Sequence, residues 1–175
     1  LAAGFPRVFE IGRVYRNEGS SPEHTQEFTN LEFYAGYMDY REGIEFTERM
    51  IKEVAQETFG SLSFDTHGGK VDLSKKWDRI SYVDTIKTML DIDVLSATEK
   101  EMMDKLDELS VRYEGTNKER LTDSLWKCCR KNIVGPAWLV GVPKLVSPLA
   151  KAEPENPLLT ERVQLILAGA EMTNG

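Results

Sequence analysis

The sequence has only two cysteines, and they are neighbours, Cys128 and Cys129. Adjacent cysteines fit neither a disulfide framework nor a CxxC metal pair, so a reducing compartment is the default and both read as helix-packing side chains. No apolar run approaches the roughly 20 residues needed to span a bilayer, and no signal peptide is expected ahead of the first strand. A cytoplasmic protein without membrane contact is the expectation. A basic surplus is missing as well: 22 Lys and Arg against 29 Asp and Glu leave a net charge of -7. No uniformly basic face is therefore available to hold a nucleic-acid backbone by charge alone. Repeats and low-complexity tracts are absent too.

What is present suits one folded domain: 175 residues, 41% of them hydrophobic, enough for a real core. Leu1 leads directly into a strand-like segment without a methionine or an element to cover that strand's edge, which raises the expectation of an excerpt from a longer protein. Period-2 segments near both ends bracket a helical middle, which predicts an α+β fold built on an antiparallel sheet flanked by helices.

Phe9, Ile11, Arg13 and Tyr15 alternate with Glu10, Gly12, Val14 and Arg16, so a strand is expected over 7–15, with Arg16 and Glu18 on one side if the chain stays extended. A second strand is expected over 28–37, where Phe28, Asn30, Glu32 and Tyr34 share a face. The polar stretch 19–27 joins them as the tip of an antiparallel hairpin. From Glu42 to Phe59, Ile44, Met50, Ile51, Val54, Ala55 and Phe59 trace a helical stripe that ends at Gly60. Thr98 with Glu101 and Thr116 with Glu119 predict capping boxes for two further helices. Ser61 to Lys76 reads as loop, Ala137 to Val142 as a short strand after Pro136, and Arg162 to Thr173 as a last strand. The expected division is 1–60 for the hairpin and its helix, 61–135 for a mainly helical insertion, and 136–175 for the C-terminal strands.

The chemistry concentrates between Arg13 and Tyr37. Glu32 and Tyr34 place a carboxylate and a phenol on one strand face, which suits a cationic group needing an opposite charge and acceptors. An ordinary solvated strand face is the competing reading. Arg16 offers a planar fork for a phosphate, Glu18 and His24 can reach other parts of a nucleotide, and Phe28 offers a plane for a base. Together they suit ATP held beside a basic substrate.

The run RNEG followed by HTQEFTNLEFY resembles motif 2 of the class II aminoacyl-tRNA synthetases in their lysyl form. A second match follows in the expected order: PKLVSPLAK, from Pro143 to Lys151, then NPLLTERVQLILAGAEMTNG to the end. The resemblance implies a two-step reaction in which L-lysine and ATP form lysyl-adenylate with Mg2+, and the lysyl group then moves to tRNA(Lys). It implies that Arg16 holds the α-phosphate and the lysine carboxylate. Glu18 would lie near the adenine amino group, His24 near the γ-phosphate and Phe28 on the adenine ring, with Asn30 binding ATP at a position where the family uses mostly main chain for adenine. Glu32 and Tyr34 would take the ε-ammonium, Asn174 would lie near the substrate carboxylate, and Glu171 would bind metal and ATP phosphates.

The chain departs from the family pattern at three places. Glu23 stands where an arginine is usual, Gln164 where a second metal-binding glutamate is usual, and Asn30 where an apolar residue is common. The family's motif 1, with its homodimer interface, and its anticodon-binding domain are expected before Leu1. Motif 3 and a further pocket glutamate are expected after Gly175. Activity of this excerpt alone is not expected. The competing readings are an aspartyl or asparaginyl enzyme, a paralogue that lysylates protein, and a non-catalytic relative that binds lysine, ATP or a partner protein. A pocket glutamate beside a tyrosine favours an ammonium over an acidic or amide substrate.

Overall fold

The computed structural model describes every residue except 18 and 20–23; Glu18 and Glu23 therefore lie outside the described residues. The chain forms two compact units, Leu1–Glu42 and Gly43–Gly175.

The first unit is an antiparallel hairpin of β1 (Arg7–Tyr15) and β2 (Glu27–Ala35), paired without a bulge from Arg7 opposite Ala35 to Tyr15 opposite Glu27. The first strand has the expected bounds, and the second ends two residues early. Direct opposition puts Val8, Glu10, Gly12 and Val14 on the face that carries Tyr34, Glu32, Asn30 and Phe28. On the other face Phe9, Ile11 and Tyr15 are exposed. Arg13 and Glu27 form an exposed ion pair near the strand ends, 2.6 Å apart, which contributes little in solvent.

Helix α1 (Tyr40–Phe59) starts two residues before the expected Glu42 because Asp39 caps it. The Asp39 carboxylate accepts from the Glu42 amide at 3.0 Å, and the Asp39 amide donates to the Glu42 carboxylate at 2.9 Å, which satisfies two otherwise orphaned donors. Gly60 takes a positive φ and its amide closes on Gln56, as a C-terminal cap should. The expected stripe is corrected in part: Ile44 and Ala55 are buried, but Val54 and Phe59 are exposed and Thr47 is buried instead.

The second unit holds a four-stranded sheet in the order β10 (Ala170–Glu171), β9 (Gln164–Leu167), β6 (Ala137–Val140), β5 (Asp78–Ser81). Three of its strands pair antiparallel as expected, but β5 runs parallel to β6. A parallel pair needs a long crossover, and the helical middle supplies it as α2 (Tyr82–Leu90), α3 (Glu99–Glu108) and α4 (Lys118–Arg130). Their inward faces make the core, with Ile86, Met102, Leu106, Leu121, Leu125 and Cys129 fully buried together with Leu139 and Ile166 of the sheet.

Four expectations need correction here. Ser61 to Lys76 is not loop: it contains the hairpin β3 (Ser63–Thr66) and β4 (Gly69–Asp72), which turns at His67–Gly68 and buries Val71. The region 61–135 thus holds the β3–β4 hairpin and β5 (Asp78–Ser81) beside its helices. The cap of α4 is Asn117, whose side chain accepts from the Arg120 amide, rather than Thr116. Arg162 to Thr173 is not one strand, because Ala168 and Gly169 both take positive φ and fold β9 back onto β10 through a two-residue turn. The strand expected over 137–142 breaks at Gly141, whose φ is +64, into β6 and β7 (Val142–Pro143), which pairs with β8 (Leu159–Thr160). Gly135 admits no side chain, since a Cβ there would lie 2.3 Å from the Ile166 carbonyl oxygen.

Candidate active site

Each unit carries one group of the candidate residues. In the hairpin, the alternation of β2 brings Phe28, Asn30, Glu32 and Tyr34 to one face. Phe28 and Asn30 are half-buried, Glu32 and Tyr34 exposed. The Tyr34 hydroxyl donates a hydrogen bond to the Glu32 carboxylate. That bond, and the carboxylate's negative charge, push the Tyr34 phenol above the ordinary tyrosine range.

Arg16 follows β1, and its amide donates to the Gln26 carbonyl at 2.9 Å. Its guanidinium lies over the Phe28 ring, 5.1 Å from the centroid, a cation–π distance. The residues expected to clamp a phosphate and to carry a base are thus in contact, with the arginine on one face of the ring. His24 is exposed on the returning side of the tip.

Sequence reasoning passed over one residue of this face. Glu10 stands directly opposite Glu32, an arrangement that is unfavourable for two carboxylates with nothing between them. Strand alternation already placed Glu10 in β1, but the pairing register that sets it against Glu32 needed the structure. Gly12, next along the same face and opposite Asn30, has no side chain of its own, and the Glu10 carboxylate lies within 3.5 Å of where its Cβ would stand.

In the second unit, Glu171 ends β10 with both carboxylate oxygens engaged. The Trp126 indole N–H donates to Oε1 at 3.0 Å, and the Gln164 amide donates to Oε2 at 2.9 Å. The Arg130 guanidinium stands 3.6 Å from Oε1. Trp126 is 1% exposed and stacks on Tyr82, while Arg130 and Gln164 are each 6% exposed. Burial raises the Tyr82 hydroxyl well above its ordinary range, and the charges of Asp123 and Glu171 push the same way. Asn174 is exposed and accepts from Arg162 Nε at 2.7 Å.

Trp126, Arg130 and Arg162 went unread in the sequence. Trp126 and Arg130 are one helical turn apart on α4 and so share a face, but their target lies far along the chain. A divalent cation needs several hard oxygen ligands. Among the described residues, no three His, Cys, Asp or Glu side chains gather so as to hold one. Around Glu171 the neighbours are an amide, an indole and a guanidinium, all donors. This donor set does not fit a protein-held Mg2+.

An α+β unit with a mixed sheet, joined in sequence to a hairpin that gathers Arg, Phe, Glu and Tyr on one face, has the makings of a nucleotide-binding enzyme core. The family model for class II tRNA synthetases (D, K and N) matches residues 1–175, and the chain belongs to that family. It is similar to lysine–tRNA ligases, with 37% identity over 174 residues to that of Thermotoga sp. (strain RQ2), covering 99% of this chain and 35% of the relative. Similarity to the lysine–tRNA ligase of Thermosipho africanus is 36% over 174 residues, covering 99% and 35%. For that of Staphylococcus aureus it is 33% over 177 residues, covering 99% and 36%. The chain thus spans about a third of the length of these curated relatives. Among the described residues, no helix is long and apolar enough to cross a membrane.

Proposed function

We propose that this chain is the part of a lysine–tRNA ligase that binds lysine and ATP. The whole protein would join L-lysine to ATP as lysyl-adenylate, releasing pyrophosphate, and pass the lysyl group to tRNA(Lys) with release of AMP. The single observation that carries this reading is the Glu32–Tyr34 pair on one face of β2, with Glu10 directly across from Glu32. Two carboxylates and a phenol oxygen favour an ammonium and disfavour an aspartate side chain.

In this reading Glu32 takes the ε-ammonium and the Tyr34 oxygen accepts from it. Arg16 aligns the lysine carboxylate with the α-phosphate and offsets the charge that develops there. Phe28 and Asn30 hold the adenine, with Glu18 at its amino group. His24 lies near the γ-phosphate. Binding of tRNA(Lys), homodimer formation and a cytoplasmic location belong to the same proposal and rest on the kinship with lysine–tRNA ligases.

Ligand that binds only the folded state raises the melting temperature. A thermal-shift titration with non-hydrolysable lysyl-, aspartyl- and asparaginyl-adenylate analogues is expected to show stabilisation by the lysyl analogue alone. Glu32→Gln should weaken that binding by about tenfold or more, as for a charge pair shielded by its ligand. Stabilisation by the aspartyl analogue, or an unchanged lysyl affinity in Glu32→Gln, would overturn the assignment.

A further inference from the structure

We infer that Arg162 and Asn174, side by side at the open end of the β9–β10 hairpin, form a clamp for a phosphate-type oxyanion. The inference extends the proposed function and rests on that reading only for the source of the phosphate, the ATP substrate or the pyrophosphate product. The clamp itself is built from residues of the second unit alone.

The backbone fixes both residues. Beyond the β9–β10 ladder, Val163 and Gly175 exchange two hydrogen bonds of 2.9 Å, which holds the flanking Arg162 and Asn174 together. Arg162 Nε donates to Asn174 Oδ1 at 2.7 Å. A guanidinium has donors only, so the amide must turn its oxygen to it, and the amide NH2 is left as a further donor beside the guanidinium. Among the described residues, neither that NH2 nor the terminal nitrogens of Arg162 have a hydrogen-bond partner. Arg162 is half-buried, but those nitrogens are not sealed from solvent.

The acids next to Arg162 in the chain and across the hairpin are engaged elsewhere. Glu161 pairs with Lys151 at 2.8 Å, and the two oxygens of Glu171 accept from Trp126 and Gln164. What remains is a fork of donors held in one orientation. A planar fork with a neighbouring amide N–H suits a tetrahedral oxyanion better than a flat carboxylate. The chain's net charge of -7 repels anions at long range, so affinity for one must come from local donors of this kind.

Isothermal titration with inorganic pyrophosphate, without metal and in an Arg16→Ala background, tests this apart from the hairpin. That background removes the phosphate clamp expected in the first unit, whereas titration with the lysyl-adenylate analogue reports on the proposed function by itself. Pyrophosphate is expected to bind the Arg16→Ala chain, and adding Arg162→Met should weaken it about tenfold or more, as for a lost hydrogen-bonded charge. Arg162→Lys keeps the charge without the fork and should recover little of that loss. Asn174→Ala changes an exposed residue, releases Nε, and should weaken binding about threefold or more; it decides the matter should Arg162→Met fail to fold. Absence of pyrophosphate binding, an affinity that the Arg162 and Asn174 substitutions leave unchanged, or acetate binding as tightly as pyrophosphate would each overturn the inference.

Discussion

The proton on Tyr34 is held by its neighbour two residues back. Ionising the phenol breaks the hydrogen bond to Glu32 and sets two negative charges side by side, and both effects raise its pKa. The folded state therefore favours the protonated phenol. Its contribution is fully present below the ordinary tyrosine pKa of about 10 and is lost as pH rises through the higher folded value. A near-ultraviolet difference titration of wild type against Tyr34→Phe should show phenolate forming above the ordinary range. In a Glu32→Gln background the transition should move back down. A Tyr34 that ionises at the ordinary pH in wild type would mean that the contact is not formed in solution. Lysine binding would compete for the same carboxylate, so saturating lysyl-adenylate analogue is expected to change this titration as well.

At the scale of elements, α3 owes its start to a reciprocal pair. Thr98 Oγ1 accepts from the Glu101 amide at 3.3 Å, and the Glu101 carboxylate accepts from the Thr98 amide at 2.7 Å. Thr98→Ala removes one half and should cost about 1 kcal/mol, read as a lower urea midpoint at unchanged slope. The Thr98 backbone bond, and then its hydroxyl, hold the Glu101 carboxyl below its usual range. That contribution is present above the unfolded carboxylate value, about 4.3, and is lost as pH falls through the lower folded value. The gap between wild type and Thr98→Ala should therefore narrow in acid. This box was legible because its two residues lie three apart and precede an apolar stripe. The cap of α4 was misplaced by one residue because Thr116 and Asn117 are both good caps, and only the backbone decides between them. The β9–β10 turn was missed because Ala168–Gly169 lacks the usual Asn-Gly or Asp-Gly signal. The β3–β4 hairpin was missed because its turn, His67–Gly68, lacks that signal too, and because its strands are four residues each and carry little alternation.

Across the whole molecule, legibility follows sequence separation. The hairpin face could be read because period 2 fixes it within β2 alone, whereas two of the partners of Glu171 come from α4, and no local pattern links Trp126 or Arg130 to β10. Long-range packing also governs the cysteines. Cys129 is fully buried in the second unit's core, and burial pushes its thiol up to about 12, with Cys128 adding to the rise. Thiolate is the reactive form, so in the folded state Cys129 is both inaccessible and protonated, and its labelling by a disulfide reagent reports opening of the core. Leu125, one helical turn away on α4, is also fully buried. Leu125→Ala leaves a cavity and should cost about 2–5 kcal/mol. Where reclosing outpaces labelling, the rate follows the open population, so a loss of 2 kcal/mol should speed Cys129 labelling about 30-fold. Cys128, half-buried with its thiol raised by desolvation, can also be labelled, so the comparison is made in a Cys128→Ser background. Equal labelling rates in that background and with Leu125→Ala added would show that Cys129 is reached by a local opening that does not involve the Leu125 core.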